Sequence, residues 1–322
     1  MATHSSNTQT SSLISNNCSN ISSYIGRFAP SPTGDLHFGS LVGALASFLD
    51  ARSNNGKWLV RIEDLDPPRE ILGSADSILK SLESHRLLWD DSVLFQSSRL
   101  DAYEQTLNFL SDHQLTFNCS CSRKSLSASD GIYDGQCRHK KHNSDTPTAA
   151  RLKVYDLPEA FKSVSSLISF DDIFMGGQSE DISTTAGDYI IHRKDGLFAY
   201  QLAVVVDDIF QNITHVIRGS DLLGSTAQQI FLFSLLGQKK LQYGHYPVVL
   251  DRSGEKLSKK NQAAPLDKKN PSKNIFRALV FLQQNPPEEL VNETPATILT
   301  WAKSQWNRKA IPKKRGYKNN FS

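Results

Sequence analysis

Residues 24–40 read YIGRFAPSPTGDLHFGS, and this stretch decides the fold. It starts as a strand-like run, turns at two prolines and a glycine, and continues into an apolar helical run at residues 41–49. A strand, a tight turn and a helix start form an anion site, because free backbone N–H groups and the helix dipole point at one place. There His37 can donate to phosphate oxygens, and Gly39 lets a flat base lie against the backbone.

A second segment, KLSKK at residues 256–260, follows a glycine and precedes a helical region. Alone it is typical of a solvated basic loop, just as a lone histidine at a helix start is more often a cap. Such a loop can also close over a triphosphate and stabilise the charge that builds on its oxygens. Because this loop and the His37 segment occur together, in this order and on an α/β pattern, we predict His37, Lys256 and Lys259 as the catalytic groups.

Three of the four cysteines, Cys119, Cys121 and Cys137, lie in a polar stretch at residues 118–145, whereas Cys18 lies far from them. This spacing is a poor disulfide framework and a better metal pattern in a reducing compartment. Thiolates favour Zn²⁺, whose structural sites take four ligands. His139 or His142 would be the conventional fourth ligand, and free reduced cysteines are the alternative.

The chain has 322 residues, of which 39% are hydrophobic and 21% charged, as in a globular protein. No apolar run is long enough to span a membrane. Residues 1–23, rich in Ser, Thr and Asn, are predicted to be a disordered tail without a secretion or transit pattern, so we expect a cytoplasmic protein. No amphipathic zipper is visible, and we expect a monomer.

Strand and helix patterns alternate along much of the chain, which predicts a doubly wound α/β domain in two halves. We place the halves at residues 24–115 and 195–250, with an insertion at residues 116–194. Residues 246–250 are predicted as one strand. Residues 251–322 would hold the basic loop, a short helical region and a basic tail.

Beyond residue 294 there are seven bases and no acid, although the net charge of the whole chain is only +3. A basic end of this kind fits a polyanionic partner. For the last ten residues alone, a solvated and partly disordered tail is the simpler interpretation.

Together, HFGS at residues 37–40 and KLSKK resemble the HIGH and KMSKS signatures of class I aminoacyl-tRNA synthetases. The surrounding RFAPSPTGDLHFGS and RIEDLD resemble the glutamyl branch, and the cysteine insert and short chain resemble its glutamyl-Q tRNA(Asp) synthetase subgroup. The resemblance covers residues 24–312. Ser40, Leu257 and Lys260 depart from the signatures, and the loss of an imidazole at Ser40 is expected to slow activation.

The resemblance implies a class I synthetase Rossmann-like fold with a zinc-bearing insertion and a short α-helical C-terminal region. It implies an L-glutamate pocket, in which arginines suit the carboxylates and a glutamate suits the ammonium, although salt bridges between strand ends are the alternative. That pocket consists of Arg27, Phe28, Ala29, Pro30, Ser31, Glu63, Tyr200 and Arg218. ATP with Mg²⁺ would be bound by His37, Gly39, Ser40 and Lys259. Tyr133 is implied as the fourth ligand of one structural Zn²⁺, beside Cys119, Cys121 and Cys137.

The resemblance also implies the reaction. Glutamate and ATP would give glutamyl-adenylate without tRNA, and the glutamyl group would pass to queuosine at the wobble position of tRNA(Asp). The residues after the basic loop leave no room for the anticodon-gripping region of longer relatives, so we expect the catalytic domain to receive the anticodon loop. Two alternatives stay open: a shortened glutamyl-tRNA synthetase that charges a tRNA 3′ end, and a non-catalytic tRNA-binding paralogue.

Overall fold

The strands in the described part of the protein build three sheets. The computed structural model describes residues 24–122, 132–143, 145–257 and 264–318. Within these ranges the strands are β1 Ile25–Phe28, β2 Lys57–Ile62, β3 Leu94–Phe95, β4 Thr116–Cys119, β5 Ala149–Leu152, β6 Leu167–Asp172, β7 Gly176–Asp181, β8 Tyr189–His192, β9 His215–Gly219, β10 Gln242–Tyr246, β11 Val248–Leu250 and β12 Gly316–Lys318.

In the two predicted halves of the α/β domain, helices alternate with strands, as the sequence predicts. The helix expected after His37 is present and begins at the next residue, Phe38. The described helices are α1 Phe38–Ser53, α2 Ser74–Ser84, α3 Leu100–Asp112, α4 Ile182–Thr185, α5 Tyr200–Phe210, α6 Leu223–Leu235, α7 Pro271–Phe281 and α8 Pro295–Gln305.

The central sheet has seven strands in the order β3-β2-β1-β9-β10-β6-β7. All neighbours in it are parallel except β6 and β7, which form an antiparallel hairpin at one edge. The strand order reverses between β1 and β9, where the carboxyl ends of an open α/β sheet leave a crevice for ligands. The predicted α/β fold of the Rossmann-like type is confirmed.

Apolar residues cover both faces of this sheet. Trp58 and Val60 of β2 join a core formed with α1, α7 and α8, whereas Leu59 between them joins a core formed with α5 and α6. Successive side chains of a strand point to opposite faces, so the two cores lie on opposite sides of the sheet. The sheet is thereby fixed between two helical layers, which is what holds its strand ends in place.

The stretch predicted as an insertion contributes to two different sheets. β4, β5 and β8 form a separate antiparallel sheet, which carries the first cysteine of the insert, Cys119. β6 and β7, from the same stretch, extend the central sheet instead, because Asp172 of β6 pairs with Tyr243 of β10. The division of the chain into domains stays a prediction.

The C-terminal region differs from expectation in two ways. The predicted single strand at residues 246–250 is two strands, since β10 ends in the central sheet and β11 pairs with β12. The expectation of a solvated tail is wrong for β12, whose Gly316–Lys318 lie parallel to Val248–Leu250. The predicted tail at residues 1–23, and with it Cys18, lies outside the described residues. No described helix has the length and apolarity needed to cross a membrane.

Candidate functional site

A cleft of about 590 Å³ opens at the carboxyl ends of β1 and β9, where the strand order reverses. It brings together every described residue of the predicted glutamate and nucleotide sites. These are Arg27, Phe28, Ala29, Pro30, Ser31, His37, Gly39, Ser40, Glu63, Tyr200, Arg218 and Lys256. Lys259 and Lys260 lie outside the described residues.

His37 is the N-cap of α1. The position suits both interpretations of this histidine, as a helix cap and as a donor to phosphate oxygens. Its backbone is extended, and its Nδ1 accepts a hydrogen bond of 3.3 Å from the backbone N–H of Ser40. A Cβ on Gly39 would lie 3.2 Å from this Nδ1, so the absence of a side chain lets the imidazole fold back over the helix start. The cap therefore holds the imidazole of His37 at the N-terminus of α1, beside the backbone N–H donors of the first turn.

The chain on either side of the basic loop returns to this helix start. The carbonyl oxygen of Leu257 would be 3.5 Å from a Cβ on Gly39, and Pro265 pairs with His37 as an isolated bridge. Lys256 forms an ion pair with Asp221 at the rim of the cleft. A turn precedes the loop, and in it Gly254 takes a positive φ of 92°, which a glycine adopts without strain.

Arg27 is held in the cleft wall by a counter-ion from a distant part of the chain, Asp208. Its Nε and one terminal nitrogen donate to the two carboxylate oxygens of Asp208, at 3.1 and 3.3 Å. Asp208 also pairs with the fully buried Arg61, at 2.8 Å. Although burial alone would raise the pKa of Asp208, the two guanidinium groups lower it. Asp208 is therefore an anion, and it fixes the orientation of Arg27.

Glu63 closes this chain of alternating charges, with its carboxylate 3.8 Å from the guanidinium of Arg61. Burial raises the pKa of Glu63 to about 7, although the neighbouring Arg61 and Arg27 act to lower it. A carboxyl group with this pKa gains its charge near neutral pH. It therefore has the properties of a site for an ammonium group, because a bound cation would stabilise the anion.

Arg218 is oriented by hydrogen bonds to groups behind the cleft and to one residue of the cleft wall. Its Nε donates to Nε2 of His245 at 3.0 Å, and one terminal nitrogen donates to Thr226 at 2.8 Å. The other terminal nitrogen donates to the hydroxyl of Tyr200 at 3.3 Å. Arg218 is only 5% exposed, so these contacts leave it one orientation, with Tyr200 beside it in the cleft wall.

The acceptor role of His245 depends on Asp172. Nδ1 of His245 lies 2.5 Å from a carboxylate oxygen of Asp172, and both side chains are fully buried. Burial lowers the pKa of His245, although the bond to Asp172 acts to raise it. The neutral ring carries its proton on Nδ1 towards Asp172, because only then can Nε2 accept from Arg218.

Sequence reasoning missed Asp208, His245 and Asp172 as parts of this site. A signal existed for Asp208, since it follows an apolar run, but the same holds for many structural aspartates. Asp172 and His245 are 73 positions apart, and no local pattern connects them.

The predicted metal ligands also converge. The sulfur atoms of Cys119, Cys121 and Cys137 lie within 4.8 Å of one another, close enough to share one metal ion. Burial acts to raise the pKa of Cys137, but hydrogen bonds from Tyr133, from the backbone and from the other thiols lower it to about 6. Cys137 therefore ionises readily, and the thiolate is the form that binds a metal.

Tyr133 packs against this cluster. Its hydroxyl accepts from the backbone N–H of Cys137 at 2.8 Å, and its side chain is 3% exposed among the cysteines. Nε2 of His142 instead lies 3.0 Å from the carbonyl oxygen of Asn118. Within the described part of the chain, neither His139 nor His142 belongs to the group that can hold an ion. The three sulfurs and the phenolic oxygen of Tyr133 are four candidate donors, which is the number that a structural zinc site takes.

Comparison with known proteins connects this cleft to one enzyme family. Residues 25–282 match the model of the catalytic domain of tRNA synthetases class I (E and Q). A protein of Cronobacter sakazakii named glutamyl-Q tRNA(Asp) synthetase is 43% identical over 289 residues, which are 90% of this chain and 94% of that protein. A Pseudomonas putida protein of the same name is 46% identical over 290 residues, or 90% of this chain and 93% of its own.

Solved structures show the same fold. The glutamate tRNA ligase of Elizabethkingia meningosepticum, in complex with its amino acid, superimposes with a TM-score of 0.75 at 24% identity. The match covers 92% of this chain and 67% of that chain. The resemblance drawn from the two signature segments is confirmed.

Proposed function

This chain belongs to the class I tRNA synthetases (E and Q), and we propose that it forms glutamyl-adenylate and transfers the glutamyl group to queuosine in the anticodon of tRNA(Asp). Within that family it belongs with the glutamyl-Q tRNA(Asp) synthetases, and it is a ligase. One observation carries the proposal for the site. Groups suited to an amino acid with two carboxylates share one cleft with a helix start suited to phosphates.

The amino-acid half of the cleft is assigned from its charges. Arg27 and Arg218, each held from behind by a buried anion or a neutral ring, face the cleft and would bind the two carboxylates of glutamate. Glu63 would accept the ammonium group. The remaining predicted members, Phe28, Ala29, Pro30 and Ser31, line the wall at the end of β1.

The nucleotide half lies at the start of α1. ATP would lie against Gly39 and Ser40, with Mg²⁺ on its phosphates and His37 donating to them. The α-carboxylate of glutamate attacks the α-phosphorus, and the bond to pyrophosphate breaks. No general base is needed, because the attacking oxygen is already an anion, so catalysis depends on positioning and on cations near the phosphates. We assign that role to Lys256 and Lys259.

In the second step a hydroxyl of queuosine attacks the glutamyl carbonyl carbon, and AMP leaves. The hydroxyl proton is released as the new ester forms. The cysteine cluster takes no part in either step. We propose that Cys119, Cys121, Cys137 and Tyr133 hold one structural Zn²⁺, which would tie the segment around Tyr133 to the antiparallel sheet.

The test is to locate the glutamate. Purified protein is incubated with radiolabelled glutamate, ATP and bulk tRNA from queuosine-proficient and queuosine-deficient cells, and the tRNA is mapped with nucleases. We expect label in the anticodon loop of tRNA(Asp) from proficient cells only. Label at a 3′ end would establish the shortened glutamyl-tRNA synthetase instead. The absence of glutamate-dependent exchange of pyrophosphate into ATP would establish the non-catalytic paralogue.

A further inference from the structure

The last described strand is firmly attached beside the cleft. β12 pairs with β11, and the aromatic ring of Tyr317 stacks on Phe281 with ring centres 4.3 Å apart. Gly316 allows the close approach, since a Cβ there would lie 3.0 Å from the backbone oxygen of Val248. The segment before β12 is therefore held at a fixed position.

That position is the rim of the cleft. The carbonyl oxygen of Arg315 accepts a hydrogen bond of 3.0 Å from the backbone N–H of Val248, and another from the hydroxyl of Ser220. Val248 lines the cleft, and so do both neighbours of Ser220, Gly219 and Asp221. The backbone of residue 315 is thus bonded directly to two segments that form the cleft wall.

Three consecutive bases stand at this place. Lys313, Lys314 and Arg315 are exposed, and within the described ranges none of the three side chains forms an ion pair. No acid occurs in the sequence beyond residue 294 to offset them. Uncompensated bases on a rigid support give a positive potential at one side of the cleft mouth.

An RNA whose base enters the cleft must lay its own phosphates across the rim. Because the backbone of Arg315 is bonded to the rim and Lys313 and Lys314 directly precede it, the three exposed bases lie close to where that RNA backbone would pass. We infer that Lys313, Lys314 and Arg315 form a phosphate-binding edge, which holds the backbone of the anticodon loop while its wobble base occupies the cleft. This inference rests on the proposed acceptor and adds the surface that binds it.

The experiment compares two triple variants of the full-length protein. One is K313Q/K314Q/R315Q. The matched control is K80Q/K162Q/K239Q, which removes three exposed lysines that do not line the cleft. Binding of queuosine-containing tRNA(Asp) is measured between 50 and 200 mM salt, and pyrophosphate exchange is measured without RNA.

We expect the edge variant to bind the tRNA roughly 10- to 100-fold more weakly at low salt. Its plot of log affinity against log salt should be less steep by about 2, since each lost contact to a single strand removes about 0.7. Exchange should match wild type, because adenylate formation needs no RNA. The control should keep the wild-type salt slope.

An edge variant that binds tRNA with the affinity and salt slope of the control would overturn the inference. This outcome is separate from a failure of the proposed function. If wild type transfers no glutamate to queuosine, the acceptor is wrong, yet the binding comparison still decides whether the edge contacts RNA.

Discussion

The Nε of Arg218 donates to Nε2 of His245 at 3.0 Å, so a cleft arginine is oriented by a neutral, fully buried imidazole. The ring can accept only while Asp172 takes the proton on Nδ1. A carboxylate 46 positions upstream of Arg218 in the chain therefore decides which way its guanidinium points. The cleft wall on this side depends on a hydrogen-bonded chain of three residues rather than on Arg218 alone.

Replacing Asp172 by Asn should reverse this tautomer. Oδ1 of Asp172 accepts from three backbone N–H groups, at 2.9 to 3.1 Å, so an amide would keep its oxygen there and turn its NH₂ towards the ring. His245 would then carry its proton on Nε2, facing the Nε–H of Arg218. Losing a hydrogen bond to a charged group costs about 1.5–3 kcal/mol, which predicts a ten- to hundredfold rise in KM for glutamate.

Pyrophosphate exchange at varied glutamate and at varied ATP measures this effect. KM for ATP should stay at the wild-type value, since Arg218 is assigned to the amino acid. Asp171→Asn, which changes the exposed neighbour of Asp172, is the control. Equal rises in both KM values would show a general loss of structure and contradict the assignment.

The efficiency of glutamate activation should fall as the pH drops below 7. The pKa of Glu63 is raised to about 7 by burial, so the anion that receives the ammonium is present above this pH and lost below it. At saturating ATP, kcat/KM for glutamate should fall about tenfold per pH unit below the pKa, because this ratio reports the enzyme before glutamate binds. Glu63→Gln should lower kcat/KM and remove this dependence. A wild-type profile that stays level from pH 5.5 to 8 is the contrary result.

Gly43 should tolerate a side chain only if the neighbouring Tyr246 is replaced by a smaller residue. It lies on α1, and a Cβ there would be 2.2 Å from the hydroxyl oxygen of Tyr246 on β10. Gly43→Ala should lower the free energy of unfolding by about 1–3 kcal/mol, and Tyr246→Phe in the same chain should recover most of it. Denaturant unfolding measures both. Gly224→Ala, with open space around the new Cβ, is the control, and a double variant as unstable as the single one would refute the steric explanation.

Tyr133→Phe should weaken zinc binding while leaving glutamate activation intact. The total binding free energy of a structural zinc site, roughly 10–16 kcal/mol, is shared by four ligands, so losing one predicts a loss of affinity of about a hundredfold. Competition with a chelator and the metal content per chain measure it. His139→Ala and His142→Ala should keep wild-type affinity. A loss of metal in either histidine variant, with Tyr133→Phe unaffected, would assign the fourth ligand to that histidine.

The start of the site could be predicted from the sequence because its residues form a local pattern. The strand, turn and helix start at residues 24–40 are consecutive, so hydrophobic periodicity and turn residues predict them without knowledge of the fold. The same holds for the spacing of Cys119 and Cys121. The resemblance to a known family then indicated that the distant segments at residues 37–40 and 256–260 belong to one site.

The contacts that orient those residues were beyond such reasoning. Asp208 is 181 positions from Arg27, and many arrangements of the same elements would place it elsewhere. Likewise, nothing local distinguishes β6 as a strand of the central sheet, although Asp172 reaches His245 only because it is one.

Except for β11 and β12, the sequence by itself determined most of the elements and which of their ends carry charge, because backbone propensity and apolar periodicity act over a few neighbouring residues. Only the tertiary structure decided which buried charge faces which, and that the basic C-terminal segment lies at the cleft rim. Strand order and helix packing set these relationships, since they bring together atoms that the chain separates by up to 181 residues in the site and 95 residues at the rim.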